Sequence, residues 1–127
     1  MNDAQRGVLE FHEQFGIQIA STPTVPDEKT QALRVRLIQE EFDELKEALK
    51  AKDLSNIAKE LADLLYVVYG TAVSCGIDME PVFQEVQRSN MSKVGGYKRE
   101  DGKWVKPKTY SPANLDPVLE RQILGSG

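Results

Sequence analysis

Two short acidic patterns carry the chemistry open to this sequence. They are Glu40-Glu41-x-x-Glu44, within "EEFDEL", and Glu60-x-x-Asp63, within "ELADLL". On a helix, residues three apart share one side and lie about 4.5 Å apart along the axis. Asp63 is the only charged residue from Leu61 to Cys75, a run otherwise built of Leu, Val, Tyr, Ala, Gly, Thr, Ser and Cys. An unpaired carboxylate in such surroundings is costly and tends to neutralise. Carboxylates crowded together repel one another, and a cation relieves that repulsion. A donor set of oxygens alone, without His or Cys, suits Mg²⁺ or Mn²⁺ better than Zn²⁺. Without a metal, the same acids must be protonated or paired with Arg34, Arg36 or Lys59.

Helices must present these patterns. A first helix fits Asp3 to Phe15, with Val8, Leu9, Phe11, His12 and Phe15 on its apolar side and Gly16 to end it. After a proline-containing loop, Asp27 caps a long second helix reaching about Ala51. Asp53 or Ser55 caps a third, which runs to about Cys75 and stops at Gly76. A fourth starts near Asp78, has Pro81 in its first turn and ends near Lys93, before Gly95-Gly96. "YKREDGKWVK" predicts a small hairpin turning on the pair Asp101-Gly102. Extended coil follows, then a short helix from Asp116 or Pro117 through Ile123. The terminal Gly-Ser-Gly reads as flexible and carries no signal. The expected fold is all-α: a four-helix bundle-like core with a short C-terminal hairpin and coil tail. It forms one domain over residues 1–127, with the core at 3–93 and a basic tail at 94–127.

The second helix puts acids on its apolar side. Advancing roughly 100° per residue from Leu33 at zero, Leu37 falls near 40°, Ala48 near 60°, Leu45 near 120° and Ile38 near 140°. Leu49 and Phe42 extend the arc to roughly 160° and 180°. Glu44 at about 20° and Glu41 at about 80° lie inside it, with Glu40 and Glu47 at its edge. A short connection makes the second and third helices antiparallel, so the two acidic pairs face each other. Di-iron bundles need Glu-x-x-His pairs. The only histidine is His12, and Leu9 stands three residues before it, so it reads as a helix-face residue.

A chain of 127 residues with net charge −4 suits one globular domain. Its one cysteine, Cys75, excludes an intrachain disulfide and reads as a small core residue. The N-terminus lacks a secretion-signal pattern, and the apolar run is short and rich in Gly, Thr and Ser for a membrane span. A cytoplasmic protein with no membrane partner is expected. Residues 1–90 carry nine Lys/Arg against sixteen Asp/Glu; residues 91–110 carry six against two. An acidic body beside a basic segment suits an anionic ligand that arrives with cations, such as nucleotide–magnesium. It disfavours a nucleic-acid partner, which most of the surface would repel.

The pattern E-E-x-x-E, a spacer, then E-x-x-D resembles the signature of the all-α nucleoside-triphosphate pyrophosphohydrolases. These are the MazG-like proteins, related to phosphoribosyl-ATP pyrophosphohydrolase and the dimeric dUTPases. "RSNMSK", Arg88 to Lys93, and the "REDGK" hairpin are similar to the C-terminal part of one small subgroup with dUTPase-like members. The resemblance covers roughly Leu9 to Ile123. It implies that Glu41, Glu44, Glu60 and Asp63 hold Mg²⁺, with Mn²⁺ a possible substitute. It implies that Glu40 positions or deprotonates the attacking water, and that Asn90 and Lys93 contact the nucleotide. The implied reaction is hydrolysis of a nucleoside triphosphate to monophosphate and pyrophosphate, and the implied assembly is a homodimer or higher homo-oligomer.

The residues suit that chemistry. Phosphoryl transfer needs positioning and charge neutralisation more than covalent help. Lys98, Arg99 and Lys108 of the tail can join Lys93 in balancing phosphate charge. Tyr97, Trp104 and Tyr110 offer aromatic faces for a base, or pack the tail on the body. Phe11, His12, Phe15 and the loop through Thr22–Pro26 can contribute to a base pocket. The subgroup resemblance favours a pyrimidine deoxynucleotide, dUTP or dCTP. Phosphoribosyl-ATP as substrate, or a non-enzymatic helical dimerisation module, are the alternatives.

Overall fold

Asn2, Asp27, Asp53 and Asp78 stand in extended backbone, and each accepts a hydrogen bond from an N–H two or three residues on. They start α1 (Asp3–Phe15), α2 (Glu28–Ala51), α3 (Leu54–Ser74) and α4 (Met79–Met91). Two short strands, β1 (Tyr97–Lys98) and β2 (Trp104–Val105), precede α5 (Asp116–Gly125). The structure, a computed structural model, describes residues 1–125; Ser126 and Gly127 of the terminal Gly-Ser-Gly lie outside the described residues. The fold is all-α, as the hydrophobic periodicity predicts. Among the described residues no single helix is long and apolar enough to cross a membrane.

Lys52 and Asp53 alone join α2 to α3, which forces an antiparallel pair that packs along its length. α3 also takes α1, and His12 of α1 and Arg34 of α2 both reach it at Gly70. Asn2 donates to the Tyr69 hydroxyl at 3.0 Å, and Gln5 bonds both Ile77 O and Met79 N. Gln5 is therefore interior, a polar side chain that ties α1 to the start of α4. His12 is also buried, with Nδ1 at 3.0 Å from Gln18 O. Burial pushes its imidazole below the usual range, so the neutral ring donates from Nδ1.

Arg34 crosses from α2 to α3 and is only 5% exposed. It donates to Val67 O at 2.9 Å and to Thr71 Oγ1 at 3.2 Å. Gly70 makes the crossing possible, since a Cβ there would lie 2.3 Å from Arg34 Nη2. Sequence periodicity left Arg34 out of the apolar arc because of its charge. Its wheel position at about 100° is central in the arc that faces α3.

Two burial expectations change. Phe42 and Leu49, taken as the end of the apolar arc on α2, are 46% and 53% exposed. The arc that packs on α3 is narrower and centred on Arg34, Glu41 and Ala48. α3 itself, apolar nearly all round, shows Leu54, Leu61, Leu65 and Val68 to solvent in the single chain. Phe15 on α1 is exposed as well.

After α3 the chain bends by 112°. α4 then packs on α5, where the Gln122 side chain bonds both N and O of Asp78. Arg88 and the Asn114 N–H grip Glu85, and hold its carboxyl down at about 2. The hairpin is antiparallel, with Tyr97 opposite Val105 and Lys98 opposite Trp104. Its turn differs from the expected two-residue Asp101-Gly102 form. Gly102 N donates to Arg99 O and Arg99 N to Lys103 O, so Glu100, Asp101 and Gly102 make a three-residue loop. Only Gly102 has positive φ there, +90°, whereas a two-residue turn of the predicted type needs it at Asp101 too.

Candidate metal centre

Glu41 follows Arg34 on α2 at i+7, and the same side of the helix then carries Glu44. α3 runs the other way and brings Glu60 and Asp63 opposite them. One oxygen from each of Glu41, Glu44, Glu60 and Asp63 lies within 4.8 Å of the others. Glu60 is buried at 5% exposure, Glu41 and Asp63 are half-buried, and Glu44 is exposed. The cluster is thus open on the Glu44 side and closed beneath Glu60.

Its electrostatics reflect the crowding. Burial, then the charges of Asp63 and Glu60, push the Glu41 carboxyl above its usual range. The Glu60 carboxylate beside Glu44, then Glu41, do the same to Glu44. Glu41 Oε2 and Glu60 Oε2 are buried with no hydrogen-bond partner. Buried carboxylate oxygens normally find donors, so two without any mark a place for another positive group. Four carboxylates without nitrogen or sulfur fit a hard divalent cation. Lys59 supplies part of the balance, bonding Asp63 Oδ2 at 2.8 Å and Glu60 Oε1 at 3.3 Å. Of the pairings considered from sequence, Lys59 is the one formed. Arg34 is spent on Val67 and Thr71, and Arg36 lies 3.9 Å from Glu40.

Glu40 stands just outside the cluster, exposed on α2. Phe11, Phe15 and Tyr66 form a partly exposed aromatic group where α1 meets α3. Phe11 and Phe15 are 4.6 Å apart by ring centre, and Tyr66 meets Phe11 edge-on at 5.5 Å. Tyr66 follows Asp63 by three residues, so it sits one turn from the acids on a neighbouring face. It was hidden in the apolar run, and its spacing from Asp63 is the signal that finds it. His12, in contrast, is interior and faces no solvent.

The basic residues gather elsewhere. Lys93 and Lys106 lie 5.9 and 4.6 Å from the Tyr110 ring centre. The Ser89 hydroxyl, then Lys106 and Lys93, pull the Tyr110 phenol below its usual range. Trp104 Nε1 donates to Lys93 O at 2.8 Å, which packs the hairpin on the end of α4. Arg99 pairs with Asp101, while Asn90, Lys98 and Lys108 are exposed. Among the described residues, no hydrogen bond or ion pair joins Asn90, Lys93, Lys98, Arg99, Lys108 or Tyr110 to the four carboxylates. The basic segment is held instead on the end of α4, by Trp104 on Lys93 O and by Ser92 with Ser111.

The family model described as phosphoribosyl-ATP pyrophosphohydrolase matches residues 8–90, which takes in both acidic patterns. No curated protein matches the chain.

Proposed function

The chain belongs to the phosphoribosyl-ATP pyrophosphohydrolase family, within the MazG-like all-α nucleotide pyrophosphohydrolases, and from that premise we propose a Mg²⁺-dependent hydrolysis of a nucleoside triphosphate to its monophosphate and pyrophosphate. The family consists of hydrolases acting on phosphoric anhydrides, which sets aside a purely structural dimerisation module. The observation that carries the metal reading is the convergence of four carboxylates, two of whose oxygens are buried without partners.

Glu41, Glu44, Glu60 and Asp63 would hold Mg²⁺, or Mn²⁺ in its place. The metal supplies neutralisation of phosphate charge and a more acidic water. Glu40, exposed at the rim and loosely paired with Arg36, is free to accept the proton of the attacking water. That water adds to the α-phosphorus, the α–β anhydride bond breaks, and pyrophosphate leaves. Asn90, Lys93, Lys98, Arg99, Lys108 and Tyr110 bind substrate, and they do so across a homodimer. Two observations support that assembly. Among the described residues, none of these side chains has a hydrogen bond or ion pair to the four carboxylates of its own chain. Leu61, Leu65 and Val68 stand exposed on α3, beside a cleft of about 430 Å³ lined by Leu65, Val68 and Phe83. No nucleic acid or membrane takes part, and the cytoplasm is the expected compartment.

The preferred substrate is a pyrimidine deoxynucleotide, dUTP or dCTP, with Phe11, Phe15 and Tyr66 as the group that receives the base. Phosphoribosyl-ATP is the second reading, favoured by the description of the matching family. A panel of ribo- and deoxyribonucleotides that includes phosphoribosyl-ATP separates them by pyrophosphate release. Fastest release from dUTP or dCTP supports the first, and release from phosphoribosyl-ATP alone replaces it with the second. In the same assay Glu40→Gln lowers turnover while nucleotide binding persists; loss of binding would make Glu40 a ligand and not a base.

A further inference from the structure

Lys59 grips the two carboxylates that α3 gives to the cluster, Asp63 one helical turn on and Glu60 next door. It is the only cationic side chain among the described residues with an ion pair to any of the four acids. As a helix-stabilising surface pair this arrangement is poor. A lysine four residues before an acid is the weaker order for an i,i+4 pair. Its second partner is the most buried carboxylate of the cluster, whose other oxygen has no donor at all. The contacts therefore make sense as charge balance for the acids. An ammonium is a compact point charge on a flexible stem. With its side chain 65% exposed, Lys59 can swing into water without disturbing the packing of α3.

We propose that Lys59 is an internal competitor for the metal. Its ammonium occupies part of the cation position between Glu60 and Asp63, and a divalent cation engages those two ligands only by displacing it. Lys59 thereby holds the acids together in the metal-free chain and raises the metal concentration needed to fill the site. This inference rests on the metal reading above. It adds a residue outside the two acidic patterns: a cation directly before the first acid of the second.

The test is a Mn²⁺ titration by calorimetry without nucleotide, paired with melting curves, on the wild type, Lys59→Met and Lys59→Arg. Competition predicts that Lys59→Met binds Mn²⁺ about fivefold tighter, the scale of a largely exposed ion pair. It also predicts a lower melting temperature for that variant without metal and a larger rise on adding Mn²⁺. Lys59→Arg, which keeps the charge, stays within about twofold of the wild type. Equal or weaker Mn²⁺ binding by Lys59→Met overturns the inference and leaves the metal site standing. No Mn²⁺ binding by any of the three overturns the metal reading itself, and this inference with it.

Discussion

On one face of the α2–α3 pair lie Glu41, Glu44, Glu60 and Asp63; on the other lie Phe42, Leu49, Leu61, Leu65 and Val68. The two sets are turned apart by roughly 80° to 160° around their helices. The acidic face carries more negative charge than its own cation, Lys59, balances. The apolar face has large side chains that stay 40% to 58% exposed among the described residues. Both faces are incomplete, and the missing groups differ in kind. Surplus carboxylates call for an ion, whereas a row of exposed leucines calls for another protein surface. Under the proposed function, the same hairpin carries a catalytic face backed by an assembly face.

Removing charge from the acidic face should have the largest effect. Glu60→Gln or Asp63→Asn reduces metal-dependent turnover to background in a pyrophosphate assay. The metal-free variant melts no lower than the wild type, because crowding of charge is relieved. Full activity in either variant would erase the distinction between the faces. Next comes the apolar face. Leu65→Lys places a charge at the centre of the proposed interface and weakens association by about 2–4 kcal/mol. Sedimentation velocity should then show monomer. Mn²⁺ binding should survive, because the ligands of one site come from one chain.

Smaller effects probe the joint between the faces. Gly70→Ala drives a methyl into the Arg34 guanidinium. Denaturant unfolding should show a loss of about 1–3 kcal/mol, as for an overpacked site. The smallest effect is on pH dependence. Glu41 and Glu44 are pushed above their ordinary value of 4.5 in the folded chain, so the folded state holds their protons more tightly. Metal-free stability from this cluster is greatest at low pH. It falls as pH rises from 4.5 through the raised values, and is flat beyond them. Glu44→Gln should flatten that slope in melting curves. With Mn²⁺ the sign reverses, since metal takes the ionised carboxylates.

Much of this was legible in the sequence because short-range physics decides it. Asp27 and Asp53 cap where an aspartate before a helical pattern should cap. The acids sit together because three-residue spacing and a two-residue link leave antiparallel helices little choice. What stayed hidden depends on contacts across helices. Arg34 is interior only because Gly70 leaves room and Val67 and Thr71 supply acceptors, none of which a helical wheel of one helix displays. Gln5 is buried for the same kind of reason. The turn at Glu100–Gly102 followed a local preference that "DG" alone could not separate from its rival. The direction of α4 has no local signal. It leaves the basic hairpin packed on the end of α4, through Trp104 and Lys93.

The most direct measurement is pyrophosphate release by the purified chain from its best nucleotide, with Mg²⁺, with a chelator, and with Mg²⁺ in the Glu60→Gln variant. A metal-bearing acidic face predicts equal amounts of monophosphate and pyrophosphate with Mg²⁺, no free orthophosphate, and background release in the other two. Release that persists in chelator, or that survives in Glu60→Gln, would contradict it.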